Sequence, residues 1–136
     1  MKLKKFSYKK VISTNLTAIR LIRVGKSSGF VTSEIQSKGR GQRGNKWISK
    51  YGNIFISVFF LINQKISIQN ITKKNLNIVK KIIRKYVNKK IEIKRPNDIL
   101  IEKSKVCGIL QETLFKDESK YLIIGVGINL ENTPYI

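Results

Sequence analysis

The run Asn53 to Leu61 is the stretch that most limits how this chain can fold. Its residues fall into two alternating sets, Ile54, Ile56, Val58 and Phe60 against Phe55, Ser57, Phe59 and Leu61, and both sets are apolar apart from Ser57. A strand with two apolar faces needs cover on both sides, so a central strand is predicted here. The stretch before it, Gln36-Ser37-Lys38-Gly39-Arg40-Gly41-Gln42-Arg43-Gly44-Asn45-Lys46-Trp47, therefore hangs from the core. Its three glycines allow the backbone to turn N–H groups onto an anion, and Lys38, Arg40, Arg43 and Lys46 surround them with positive charge. The spacing Gly39-x-Gly41-x-x-Gly44 matches a dinucleotide-binding pattern, but that pattern requires a helix at the glycines and an acidic residue about 20 positions on. Here a strand follows, and no Asp or Glu lies between Glu34 and Glu92. The Walker pattern also fails, because Asn45 and Lys46 follow Gly44 where Lys and Ser or Thr are required. The loop is read as a polyphosphate site of another design, with a solvated, charged hairpin connection as the alternative.

Composition bounds the rest. With 136 residues, 41% of them hydrophobic, the chain has material for one modest core and one domain. A single cysteine, Cys107, leaves no internal disulfide, and the first 12 residues carry Lys2, Lys4, Lys5, Lys9 and Lys10 without the apolar run of a signal peptide. A cytoplasmic location is expected. The longest apolar run, Ile54 to Ile62, is far shorter than the roughly 18 residues of a membrane span. The net charge of +20 comes from 28 Lys and Arg, only six of them Arg, spread along the whole chain. It fits a solvated surface as well as weak nonspecific contact with RNA or DNA, and no specific DNA binding is expected. The absence of histidine excludes any His-based triad, relay or zinc site.

Along the chain, Ser13-Thr14-Asn15 precedes Leu16, Ala18, Ile19, Ile22 and Val24, spaced as one helical face that stops at Gly25, with Ser13 or Thr14 as N-cap. Phe30 to Gln36 alternates as a strand that delivers Gln36 to the mouth of the loop. Thr72 is expected to cap a helix with Leu76, Val79, Ile83 and Tyr86 on its apolar face and lysines outward. Ile91 to Arg95 reads as a short strand ended by the turn Pro96-Asn97-Asp98. A turn at Glu102 to Ser104 leads to a strand over Val106 to Thr113, and a last strand runs from Tyr121 to Leu130. There Gly125 and Gly127 leave space above the sheet, into which Asn129 would look. On residues alone, Trp47 reads as an anchor of the hairpin, Asp98 as a turn-former and Lys105 as a surface lysine.

Four blocks change that reading: Gly39 to Ser49, Lys94-Arg95-Pro96-Asn97-Asp98, Lys105-Val106-Cys107-Gly108-Ile109-Leu110, and Gly125-Val126-Gly127-Ile128-Asn129. In order and spacing the chain resembles the biotin protein ligases over Ser13 to Asn129. The resemblance implies an α+β fold, a mixed, largely antiparallel sheet backed by helices on one face. It also implies an ATP-dependent activity: biotin is activated as biotinyl-5′-AMP and passed to a lysine of a biotin carboxyl carrier protein. Ser13, Thr14, Asn15, Gln36, Arg40, Gly41, Gln42 and Lys105 are then expected at biotin. Arg43, Trp47, Asn97, Asp98 and Asn129 are expected at ATP, with Arg40 and Lys105 catalytic. Mg²⁺ would arrive with ATP, near Asp98, without a dedicated protein cage.

Departures from the family pattern are Gln42 and Asn45, where arginine is common, and Arg95, where tryptophan usually precedes Pro-Asn-Asp. Only twelve residues precede Ser13, so the DNA-binding winged helix of the repressor-type members is not expected. Family members continue past the position of Asn129 into further helices and a β-barrel, so residues 1–136 are expected to form a catalytic domain incomplete at its C-terminus. The competing readings are a lipoate or octanoate transferase of the same fold, which the absence of histidine disfavours, and a noncatalytic nucleic-acid-binding module. The latter would need clustered exposed aromatics, whereas Phe55, Phe59 and Phe60 fall in the predicted central strand.

Overall fold

A computed structural model of the chain describes residues 2–63 and 65–130. The last residues of the expected domain, 131–136, lie outside the described residues. The elements run β1 (Lys5–Val11), α1 (Thr14–Arg23), β2 (Gly29–Gln36), a 3₁₀ turn (Gln42–Gly44), β3 (Ile54–Ile62), α2 (Ile68–Arg84), β4 (Ile91–Lys94), β5 (Asp98–Ile101), β6 (Ser104–Lys116) and β7 (Ser119–Ile128). The strands form a 7-stranded sheet in the order β1-β2-β3-β7-β6-β5-β4. β1 pairs parallel with β2, and all other neighbours are antiparallel. The fold is therefore α+β with a mixed, largely antiparallel sheet, and β3 is central as its two apolar faces require.

The register separates the two faces. Ser57 pairs with Gly125 and Gly125 with Leu110, while Ile56 pairs with Val126 and Val126 with Ile109. On the first face, Phe59 and Ile123 pack with Val31 and with Ala18 and Ile22 of α1. On the second, Cys107 and Ile109 pack with Ile91, Ile99 and Leu76 of α2, and Gln111 bonds Thr72 and Asn75. The helices thus lie on opposite faces rather than on one. Each has a single apolar stripe, and a sheet whose central strands are apolar on both sides offers each stripe its own surface.

Several local expectations shift. α1 begins at its N-cap Ser13, whose hydroxyl accepts from Leu16 N at 3.0 Å. Its apolar face excludes Val24, which is 75% exposed at the C-cap. α2 starts one turn earlier than expected, capped by Ser67, so Thr72 lies inside it and returns its hydroxyl to Ile68 O at 2.9 Å. Tyr86 lies beyond the helix and is 83% exposed. β1, a lysine-rich edge strand, was not expected; Phe6 docks on Phe59 while its lysines face out, which suits an unpaired sheet edge. No helix among the described residues is long and apolar enough to cross a membrane.

Leu76 is the one fully buried residue of α2. Leu76→Ala leaves a void between the helix and Ile99, Cys107 and Ile109, and a loss of about 2–5 kcal/mol is expected. Urea unfolding followed by circular dichroism measures it.

Candidate functional site

The site lies on the α1 face. A cavity of about 250 Å³ is walled by the N-terminus of α1 (Ser13, Thr14, Asn15), by Gln36, by the glycine loop from Arg40 to Trp47, by the β4–β5 turn and by β6 and β7. All the residues that the resemblance places at biotin or ATP line it except Asn129, whereas Lys38, Gly39 and Gly44 of the loop do not. Asn129 instead fastens the ends of strands: its Oδ1 accepts from Asn53 Nδ2 at 3.3 Å, and its backbone N–H donates to Val106 O at 2.7 Å.

The loop closes on itself. Trp47 N donates to Gly39 O at 2.9 Å and Gly41 N to Asn45 O at 2.7 Å, so this glycine N–H serves the hairpin and not an anion. Arg43 and Gly44 turn the chain back at φ 57° and 75°. Glycine takes that conformation freely, and Arg43 is held in it by its neighbours. Beyond the turn, Trp47 lies against the sheet. A Cβ on Gly108 would stand 2.7 Å from its ring and one on Gly127 2.6 Å, and these two glycines pair directly across β6 and β7. The space predicted above Gly125 and Gly127 therefore exists, but Trp47 and Asn15 fill part of it. Anchoring, the reading of Trp47 from residues alone, is what it does; the ring still lines the cavity.

The polar residues of α1 and Gln36 bond one another. Gln36 Oε1 accepts from Thr14 N at 2.8 Å while its Nε2 donates to Ser49 Oγ at 3.0 Å. The buried Ser57 hydroxyl donates to Asn15 Oδ1 at 2.5 Å and stands 2.7 Å from the Thr14 hydroxyl. Asn15 Nδ2 donates to Leu110 O at 3.2 Å and Glu112 Oε1 at 2.9 Å. Asn97 Nδ2 and N–H···O contacts with Ile109 lock the β4–β5 turn onto β6.

Charge is distributed differently. Arg40, Arg43, Lys46, Lys94, Arg95 and Lys105 line the cavity with one carboxylate, Asp98, among them. Asp98 opens β5 rather than ending a turn, and its Oδ1 lies 3.3 Å from Lys105 Nζ, which stands 5.1 Å over the Trp47 ring. Arg40 is paired with Glu112 at 2.7 Å. The sequence reading passed over Ser57 and Glu112. The signals were there: Ser57 is a lone hydroxyl in an apolar strand, and Glu112 falls on the face of β6 that carries Gly108. Among the described residues no group of three or more His, Cys, Asp or Glu side chains that could hold a metal ion occurs.

The fold is an α+β domain with a cation-lined cavity at a helix N-terminus, and residues 9–129 match the biotin/lipoate A/B protein ligase family model. The chain belongs to that family. It is 34% identical over 121 residues to the bifunctional ligase/repressor BirA of Escherichia coli, covering 87% of this chain but 38% of that protein. The biotin protein ligase from Aquifex aeolicus in complex with biotin and ATP superposes with a TM-score of 0.77 at 32% identity, over 96% of this chain and 55% of that one. The biotin acetyl coenzyme A carboxylase synthetase from Helicobacter pylori shares the fold, with a TM-score of 0.80 at 20% identity, over 99% of this chain and 65% of that one.

Cys107 sits under the site on the α2 face, fully buried. Burial, reinforced by Asp98 and partly offset by Lys105, raises its thiol from 9.0 to about 12. The unfolded chain would ionise first, so the stability this neutral thiol supports is intact below pH 9 and is lost as the pH climbs toward 12. Iodoacetamide at pH 8 is expected to leave the folded chain unlabelled and to modify Cys107 fully in denaturant, read by mass spectrometry.

Proposed function

We propose that this chain is the catalytic domain, over residues 1–136, of a biotin–protein ligase that works in the cytoplasm. The observation that carries this is the convergence of the resemblance-derived residues, Asn129 apart, on one cavity lined by six cations and one carboxylate. In the reaction, the carboxylate of biotin attacks the α-phosphorus of ATP, giving biotinyl-5′-AMP and pyrophosphate. A lysine amine of a biotin carboxyl carrier protein then takes the biotinyl group and releases AMP. Both reactants of the first step are anions, and a barrier of that kind falls when fixed cations meet the charge that builds in the transition state.

Position supports the following assignment of roles. Arg40 and Lys105 are assigned to the reacting carboxylate and phosphate, and Arg43 to the phosphates of the nucleotide. The frame of Ser13, Thr14, Asn15 and Gln36, with Gly41 and Gln42, shapes the biotin side, and Trp47, Asn97 and Asp98 the nucleotide side. Asn129 acts at one remove, by holding β6, β7 and Asn53 together. Mg²⁺ enters with ATP as part of the substrate and neutralises the leaving pyrophosphate. No enzyme nucleophile is needed, in keeping with a Cys107 thiol raised to about 12.

Calorimetric titration with biotin, then with ATP and Mg²⁺, tests the reading; a chain that binds neither is not a biotin ligase. Arg40→Ala is expected to slow biotin-dependent pyrophosphate release by an amount equal to about 2–4 kcal/mol of transition-state stabilisation, with the melting curve close to that of the parent. A second expectation concerns Gln42, which stands where the family commonly has arginine. Gln42→Arg adds a charge at the cavity and should hold the adenylate longer. Blots of a mixed lysate for biotin are expected to show less labelling of bystander proteins than with the parent chain.

A further inference from the structure

Glu112 has no part in the assignments above. It lies on β6, on the face that carries Gly108 and Leu110. Both of its oxygens are engaged. Oε1 receives Arg40 Nη2 at 2.7 Å and Asn15 Nδ2 at 2.9 Å, and Oε2 receives Arg40 Nη1 at 3.3 Å. One carboxylate therefore ties two separate pieces of the wall, the glycine loop and the first turn of α1, to the same strand.

The arrangement suits positioning more than stability. With side chains 42% and 28% exposed, the Arg40–Glu112 pair adds little to folding free energy. Its geometry, however, is a two-point fork on a planar group, which fixes where the guanidinium lies. A guanidinium has five N–H donors; the fork uses one on each terminal nitrogen and leaves the others for an anion in the cavity. An arginine on a glycine loop would otherwise lose its rotamer freedom on ligand binding, and a group already ordered does not. Resting on the ligase reading, we propose that Glu112 is a positioning residue, which holds Arg40 in place for the reacting anions and Asn15 in place for the biotin side.

Two variants separate these contacts. Glu112→Gln keeps the size and an acceptor for Asn15 but loses the charge, whereas Glu112→Ala removes both. Limited trypsin digestion with mass spectrometry needs no activity: cleavage after Arg40 and Arg43 is compared with cleavage after Lys73 and Lys74 in α2. Both variants are expected to raise the loop-to-helix ratio about three- to tenfold. An unchanged ratio, including a rise at both places together, overturns the proposal. Biotin binding is then followed through Trp47, the only tryptophan in the chain, alongside biotin-dependent pyrophosphate release. Glu112→Gln should keep the biotin Kd within about twofold while turnover falls about tenfold or more, and Glu112→Ala should weaken both. Full turnover in Glu112→Gln also overturns it. If the parent chain neither binds biotin nor releases pyrophosphate, the ligase reading fails, and the digestion alone still decides whether Glu112 orders the loop.

Discussion

The contact of Trp47 with the glycine pair Gly108 and Gly127 is what the rest of the site depends on. Residues directly opposite in an antiparallel ladder have Cβ positions about 4.5–5.5 Å apart, so any side chains there would meet over the spot the indole occupies. Leaving both positions bare lets a large ring lie on the sheet, and burial of the ring fixes the far end of a loop whose near end is β2. With both ends fixed, Arg40 to Lys46 can form a short closed hairpin instead of a wandering segment, which keeps the entropy of ordering it small. The same ring supports Lys105 from below, and Lys105 in turn reaches Asp98 at the start of β5. One apolar contact thus bears on cations from two distant parts of the chain, the glycine loop and Lys105.

Charge explains why the site is not a by-product of a basic composition. Lysines are spread over the whole sequence, but of the arginines, Arg40, Arg43 and Arg95 line the cavity while Arg20, Arg23 and Arg84 sit on helices. Arginine cannot be neutralised by losing its proton at any ordinary pH, and its planar fork matches carboxylate and phosphate. Crowding such groups around one cavity is repulsive in the ligand-free chain. Asp98 and Glu112 each offset one cation of the wall and leave a net positive cavity, a local conflict of the kind expected where function outweighs stability.

Much of this was legible in the sequence where a physical rule ties residue type to position. The two apolar faces of Ile54 to Leu61 required a central strand, and the glycine loop that precedes it does bring cations to the wall of a cavity. The four family blocks assembled on one cavity because each falls at a strand end or turn on the same side of the sheet. What was missed depends on partners far away in the chain. Glu112 acquires meaning only once β6 is aligned with α1, and the orientation of Asn129 only once Asn53 stands beside it. The opposite placement of the helices needed the register of β3, β7 and β6, which periodicity does not contain. Gly41 illustrates the same limit: the sequence shows that its N–H is free to turn inward, and only the hairpin shows that Asn45 takes it.

Within the wall, the neutral polar groups and the cations do different work. Ser13, Thr14, Asn15, Gln36 and Ser57 bond one another, nearby backbone, Ser49 and Glu112, and this network holds α1, β2 and β3 in one arrangement. The cations are not saturated: among the described residues, Arg43, Lys46, Lys94 and Arg95 form no salt bridge while facing a shared space. Shape is therefore set by groups already satisfied, and the unmet electrostatic demand of the cavity is for negative charge. A neutral ligand would have to displace bonds that cost free energy to break. A carboxylate or phosphates would bring the charge that these cations lack.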